Sequence, residues 1–464
     1  MKRTLLTFVI VGTFWVGQLS EINGRAAGLG LSAVSTTSSV TPSSDVLSKA
    51  LVQLQKTQRR RFHPESVGLL VETLDGSQII TEYNSDLPYN PASVMKLGTS
   101  FFALDRLGPE HRFRTVIYGQ SELDLRKKRL EGDLYLVSDG DPVFQRSDAM
   151  AFGRSLLRRG LRLVQGDLVV VGPFSIDAFP DTLTSAQQLR RYLTRLGIRI
   201  TGQTMCVESG SIDLSSAVQY LSHDSEKLKD ILWIQNAHSI NEIADRLGDQ
   251  LGGSEALRQF LREAAGLEPQ EIFVGRPSGL EYNRMTPRAG VKILRALNAW
   301  LLTHQLKMQD ILPVAGADDG TLFGRLRDQY CLGGILGKTG TNPSKEGGIS
   351  ALAGIAYTRD YGPLIYTIFN TNGRVTAFRR WQDYFLRNLM EESGGVGEYL
   401  SPRTDLTMLF SSWVPSTYLE SLGQEPLVFK KSVTRSAYVK KAKYAKKVAR
   451  RSSKSSPSTR RTGA

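Results

Sequence analysis

Three short polar motifs stand far apart in this 464-residue chain, and any fold it adopts has to account for all of them. They are Ser93-Val94-Met95-Lys96, Ser239-Ile240-Asn241 and Lys338-Thr339-Gly340-Thr341. Ser93 is the only serine followed by a lysine three residues later. On a helix those two positions share a face, so the amine can reach the hydroxyl. A serine hydroxyl is a weak nucleophile until a base takes its proton. A lysine can be that base if burial or a second cation disfavours its charged form. A helix N-terminus would also aim backbone N–H groups at developing negative charge. Ser239 falls on a turn between helical patterns at 225–236 and 241–251. There a hydroxyl can relay a proton and the Asn241 amide can bond both a lysine and a carbonyl, although helix capping alone would explain either residue. Lys338, Thr339 and Thr341 carry groups that suit a carboxylate, and Gly340 lets a ligand approach the backbone.

The order S-x-x-K, S-x-N, K-T-G, each occurring once, is the motif set of active-serine penicillin-recognising enzymes. The chain resembles the low-molecular-mass class C penicillin-binding proteins, the D-alanyl-D-alanine carboxypeptidase/endopeptidase group that includes penicillin-binding protein 4. Further similar stretches are Gly132-Asp133-Leu134-Tyr135-Leu136-Val137 with Gly140-Asp141-Pro142, Ser278-Gly279-Leu280 with Asn283-Arg284-Met285-Thr286-Pro287, and Asp319-Gly320-Thr321-Leu322. The likeness runs over roughly 65–390. It implies an α+β chain with the serine β-lactamase/DD-peptidase-like transpeptidase fold: an antiparallel sheet flanked by helices, a helical subdomain, and a reduced β-rich insertion between the first two motifs.

It also implies a serine-type D-Ala-D-Ala carboxypeptidase/DD-endopeptidase. Its substrates would be peptidoglycan stem peptides, β-lactams would inhibit it, and no metal or cofactor is called for. Ser93 would attack the carbonyl between two D-alanines and Lys96 would take its proton. The backbone N–H groups of Ser93 and Thr341 would form the oxyanion hole. Ser239 would return a proton to the leaving amine and Asn241 would orient the substrate. Lys338, Thr339, Gly340 and Thr341 would bind the terminal carboxylate end. Three features depart from the family pattern. Arg276-Pro277 stands where Asp-Gly is favoured, Ile240 where Asp is usual, and an insert containing Asn342-Pro343 and Lys345-Glu346 follows Thr341. A β-lactamase-like hydrolase and a non-catalytic wall-binding protein are the alternatives.

The net charge of +14 comes almost wholly from one end. Residues 430–464 hold 13 Lys and Arg and no acid, which leaves 46 basic against 45 acidic residues in the rest. The high pI therefore describes a tail, which we expect to be disordered and to meet an anionic cell-envelope polymer or lipid, with no specific nucleic acid as partner. Lys2 and Arg3 precede an apolar run at 5–17, too short for a comfortable membrane span, so 1–27 reads as a signal peptide. The expected location is exported, periplasmic or envelope-associated. A Ser/Thr-rich linker follows at 28–45, then a peptidase domain at 46–113 and 216–395, an insertion at 114–215, an extension at 396–429 and the tail. Two cysteines exclude a disulfide-dense scaffold, and whether Cys206 and Cys331 pair is open. The patterns predict helices over 93–107, 185–196 and around 378–389, and strands at 67–74, 351–357 and 364–370.

Overall fold

The computed structural model describes residues 44–58, 62–177, 179 and 181–409. The expected leader, the linker up to residue 43, the extension beyond residue 409 and the basic tail lie outside the described residues.

The main sheet has five antiparallel strands in the order Ile335–Asn342, Ile349–Thr358, Gly362–Asn370, Val67–Thr73 and Ile79–Tyr83. The first and last segments of the peptidase region thus share one sheet, with Val67 opposite Asn370 and Thr73 opposite Leu364. Its central strands are apolar at nearly every position because both faces are covered. Leu70, Ala351, Ala353, Ile365 and Phe369 point to one core, and Leu69, Val71, Leu352, Tyr366 and Ile368 to the other, as the period of two requires.

On the first face lies a helical layer: Lys96–Leu107, Leu228–His238, Asn241–Gln250, Gly253–Ala265 and Pro287–Thr303. They pack around fully buried Trp233 and a Phe101–Phe260 edge contact at 4.9 Å. On the second face Ser44–Gln58 packs against Val375–Glu392, tied by the Trp381 indole N–H donating to the Ala50 carbonyl at 2.7 Å.

Residues 114–224 build a second five-stranded sheet in the order Val218–Asp224, Arg114–Gly119, Leu134–Ser138, Leu168–Val171, Thr204–Val207. The last three strands are parallel, so each connection must cross over. Helices Arg146–Arg158 and Thr182–Leu196 make those crossovers. The first has no counterpart in the sequence reading. The second starts three residues earlier than the pattern indicates, because Asp181 caps it, its carboxylate accepting the Thr184 N–H at 2.7 Å. Ser185 turns inward and accepts the Ile176 N–H at 3.2 Å. Cys206 lies against the core of this sheet while Cys331 is buried in the core of the main one, and both are free thiols.

Candidate active site

Ser93 does not open an α-helix. It sits in a 3-10 turn, Ala92–Met95, that runs directly into the α-helix Lys96–Leu107. In 3-10 geometry residues i and i+3 eclipse, which brings Lys96 over Ser93 more closely than an α-turn would. The Lys96 Nζ lies 2.9 Å from Ser93 Oγ. Two more oxygens surround it: Asn241 Oδ1 at 2.7 Å and the Ser278 carbonyl at 2.7 Å. Lys96 is fully buried. That burial pulls its pKa down to about 7, against the opposing pull of the Asp245 and Glu242 charges.

This ligand set has a chemical consequence. A neutral amine has two N–H donors and one lone pair. Two of the three surrounding oxygens are carbonyls, which can only accept. They use both N–H groups, and the lone pair is left facing the Ser93 hydroxyl.

Ser239 closes the helix Leu228–His238 in the left-handed region, at φ 58°, a conformation that a serine adopts at some cost. The turn presents its hydroxyl to Lys338, whose Nζ donates to Ser239 Oγ at 2.8 Å and to the Thr339 carbonyl at 2.7 Å. Lys338 is fully buried too, and burial, followed by the charge of Lys96, pushes its pKa well below the usual lysine range. Ile240, where the family usually has Asp, packs its side chain against the helical core.

Lys338 to Thr341 lie on the strand Ile335–Asn342, the edge of the main sheet. Its odd-numbered residues turn their backbone groups away from the sheet. The Ile335 carbonyl accepts the Ala315 N–H, the Gly337 N–H donates to Pro313, and the Thr339 carbonyl accepts Lys338 Nζ. By the same alternation the N–H and C=O of Thr341 face the open edge. Gly340 brings this strand against the nucleophile. A Cβ there would lie 2.5 Å from the Pro91 carbonyl and 3.1 Å from the Ser93 nitrogen. Gly340→Ala should therefore push the strand off the Ser93 turn, and because displacements of about 1 Å can cost on the order of 10²-fold, acylation by a fluorescent penicillin should slow by about that factor. An unchanged rate would show that the contact is not part of the site.

The structure thus joins Ser93, Lys96 and Asn241 by hydrogen bonds, pairs Ser239 with Lys338, and sets Gly340 against Ser93, with Thr339 and Thr341 on the same strand. It adds others. Asp245 lies one turn after Asn241 and accepts the Ser278 N–H at 2.9 Å while pairing with Arg276 at 3.2 Å. The unusual Arg276 therefore bridges Asp245 and Asp249 behind the Lys96 pocket. The Thr339 hydroxyl donates to Thr321 at 2.7 Å, and Thr321 N–H donates to the Ala237 carbonyl, which joins the third motif to the turn of the second. In the insert after Thr341, Glu346 accepts from Asn90 at 3.1 Å and from Arg284 at 2.9 Å. Asn90 in turn accepts the N–H of Ala92, the residue before the nucleophile. Spacing offered a signal only for Asp245, which shares a helix face with Asn241 at i+4. Among the described residues no three His, Cys, Asp or Glu side chains gather to hold a metal.

The sequence profile of the D-Ala-D-Ala carboxypeptidase 3 (S13) family matches residues 50–172 and 173–383. A D-alanyl-D-alanine carboxypeptidase from an Actinomadura species is 35% identical over 100 residues, which is 22% of this chain and 18% of the relative. A second, from Haemophilus influenzae, is 27% identical over 105 residues, 23% of this chain and 22% of the relative. These sequence matches therefore span about a fifth of the length of the curated relatives. Among solved structures, penicillin binding protein 4 from Haemophilus influenzae superposes with a TM-score of 0.61 at 19% identity, covering 74% of this chain and 98% of that one. A predatory peptidoglycan endopeptidase from Bdellovibrio bacteriovorus gives 0.59 at 20% identity, covering 72% and 95%. At such identities the likeness is one of fold.

Proposed function

The chain belongs to the D-Ala-D-Ala carboxypeptidase 3 (S13) family, and we propose that it is a serine DD-peptidase that hydrolyses peptidoglycan stem peptides through an acyl-enzyme. The observation that carries the reading is the Lys96 amine, held by two carbonyl acceptors with its third contact on Ser93 Oγ at 2.9 Å. Ser93 Oγ attacks the carbonyl between two D-alanines as its proton passes to Lys96. The negative oxygen of the tetrahedral intermediate faces the N–H groups of Ser93 and Thr341. The C–N bond then breaks, and the leaving amine takes a proton from Ser239, whose oxygen is held by Lys338. Ser239 is re-protonated with the proton that Lys96 took from Ser93, so that Lys96 and Ser239 are both neutral again before deacylation. Water attacks the ester in the reverse sense, releases the acid and restores Ser93. A β-lactam would acylate Ser93 by the same first step.

The substrate lies outside the cytoplasmic membrane, so we place the protein in the periplasm or at the cell envelope, with the tail at 430–464 as an electrostatic tether to anionic polymer or lipid.

Incubation of the full chain with purified peptidoglycan, followed by mass analysis of the soluble products, tests the activity. Free D-alanine is expected from carboxypeptidase action and separated cross-links from endopeptidase action. Release of neither would contradict the proposal.

A further inference from the structure

We propose that Arg379 is the specificity residue that reads the free C-terminal carboxylate of the substrate, together with the Thr341 hydroxyl. The inference rests on the peptidase reading above and deepens it.

The lysine of the third motif is badly placed for that task. Lys338 has no exposed surface, and its Nζ is already engaged by Ser239 Oγ and the Thr339 carbonyl. Burial also favours its neutral form. A neutral, enclosed amine offers a ligand carboxylate little charge. The Thr339 hydroxyl is likewise engaged, by Thr321.

Arg379 differs on each point. It projects from the helix Val375–Glu392 and remains exposed, and its Nη2 donates to Thr341 Oγ1 at 2.8 Å. A guanidinium stays charged at any physiological pH. Among the described residues no carboxylate lies within ion-pair distance of it. Asp383, one helical turn further on, is held by Arg325 at 2.7 Å. Arg379 therefore has no direct ion-pair partner, the nearby Asp383 charge being shared with Arg325, and its fork of donors meets the edge strand at Thr341.

The contact with Thr341 also sets a direction. Because the threonine oxygen accepts from Arg379, its own O–H is free to donate elsewhere. A carboxylate at this point can take one bond from the Thr341 hydroxyl and one or more from the guanidinium, the planar pairing to which arginine is suited. The scissile carbonyl of a D-Ala-D-Ala end lies one residue from its terminal carboxylate, and the Thr341 N–H and hydroxyl belong to one residue. One side chain and one backbone group can so hold both ends of the last alanine.

The test compares the full chain with Arg379→Gln and Arg379→Lys on a D-Ala-D-Ala peptide and on its C-terminal amide, with KM and kcat measured separately. The native protein should prefer the acid by about tenfold or more, the size expected for one charge-assisted hydrogen bond. Arg379→Gln should lose that preference through a raised KM for the acid, with the amide unaffected, and Arg379→Lys should recover part of it. Retention of the native acid-over-amide ratio by Arg379→Gln, or no such preference in the native protein, would overturn the assignment while the peptidase reading stands. Turnover of neither peptide by the native protein would overturn that reading and the inference together.

Discussion

Replacing Lys96 with methionine should slow acylation of Ser93 by penicillin by about 10³-fold or more, the upper part of the range for removal of a positioned general base. Methionine keeps the length and apolar character of the stem, so the pocket stays filled. What is lost is the amine, with its lone pair toward Ser93 and its bonds to Asn241 and Ser278. The two carbonyls left without a donor should lower stability by about 1–3 kcal/mol each at most, which a melting curve separates from the loss of rate. The native enzyme should show the complementary pH dependence. The base is the deprotonated amine, present above its pKa, and burial brings that pKa down to about 7. Acylation should therefore rise with pH through about 7 and then level off. A limb that climbs to about 10, where an exposed lysine titrates, would contradict a base tuned by burial. So would a Lys96→Met variant acylated at the native rate.

The chemistry of this site was legible in the sequence to an unusual depth, because each step needs particular residue types at short spacing. Ser93 and Lys96 are separated by one turn, and Ser239 and Asn241 by one residue. Lys338 to Thr341 are consecutive on a strand. The strands at 351–357 and 364–370 were legible for a different reason: both faces are buried, so the apolar runs are continuous. What spacing could not convey is which distant residues brace these motifs. Asp245 is tied to Ser278 across 33 positions, Thr321 to Thr339 across 18 and Arg379 to Thr341 across 38. Beyond the i+4 spacing of Asp245 from Asn241 and the family-like stretch around Thr321, nothing local marks them, since their roles arise only when the elements pack. The 3-10 turn at Ser93 was hidden similarly. Propensity favours a helix there, and the tighter winding is imposed by neighbours, with Ala92 held in the left-handed region at φ 44°. There the Gly279 backbone closes on it so tightly that a Cβ on Gly279 would overlap the Ala92 carbonyl. The helix Arg146–Arg158 leaves little pattern in the sequence because its apolar face is short, with only Ala149, Phe152, Gly153 and Leu156 buried.

The larger effect is expected at Ser93 itself. It is the hydroxyl to which the Lys96 amine is aimed, and it lies at the point where the edge strand, the Ser239 turn and the 3-10 turn meet. No other serine in the chain has a lysine three residues on, and an alanine in its place leaves no oxygen to carry the acyl group. Ser93→Ala should therefore lose acylation altogether, where the Lys96 variant only slows it. Intact-protein mass spectrometry after incubation with penicillin, followed by peptide mapping, measures this directly. We expect one adduct on the native chain, located on the peptide that contains Ser93, and none on Ser93→Ala. A native chain that takes up no penicillin, or an adduct that persists in Ser93→Ala, would contradict the assignment of Ser93 as the nucleophile.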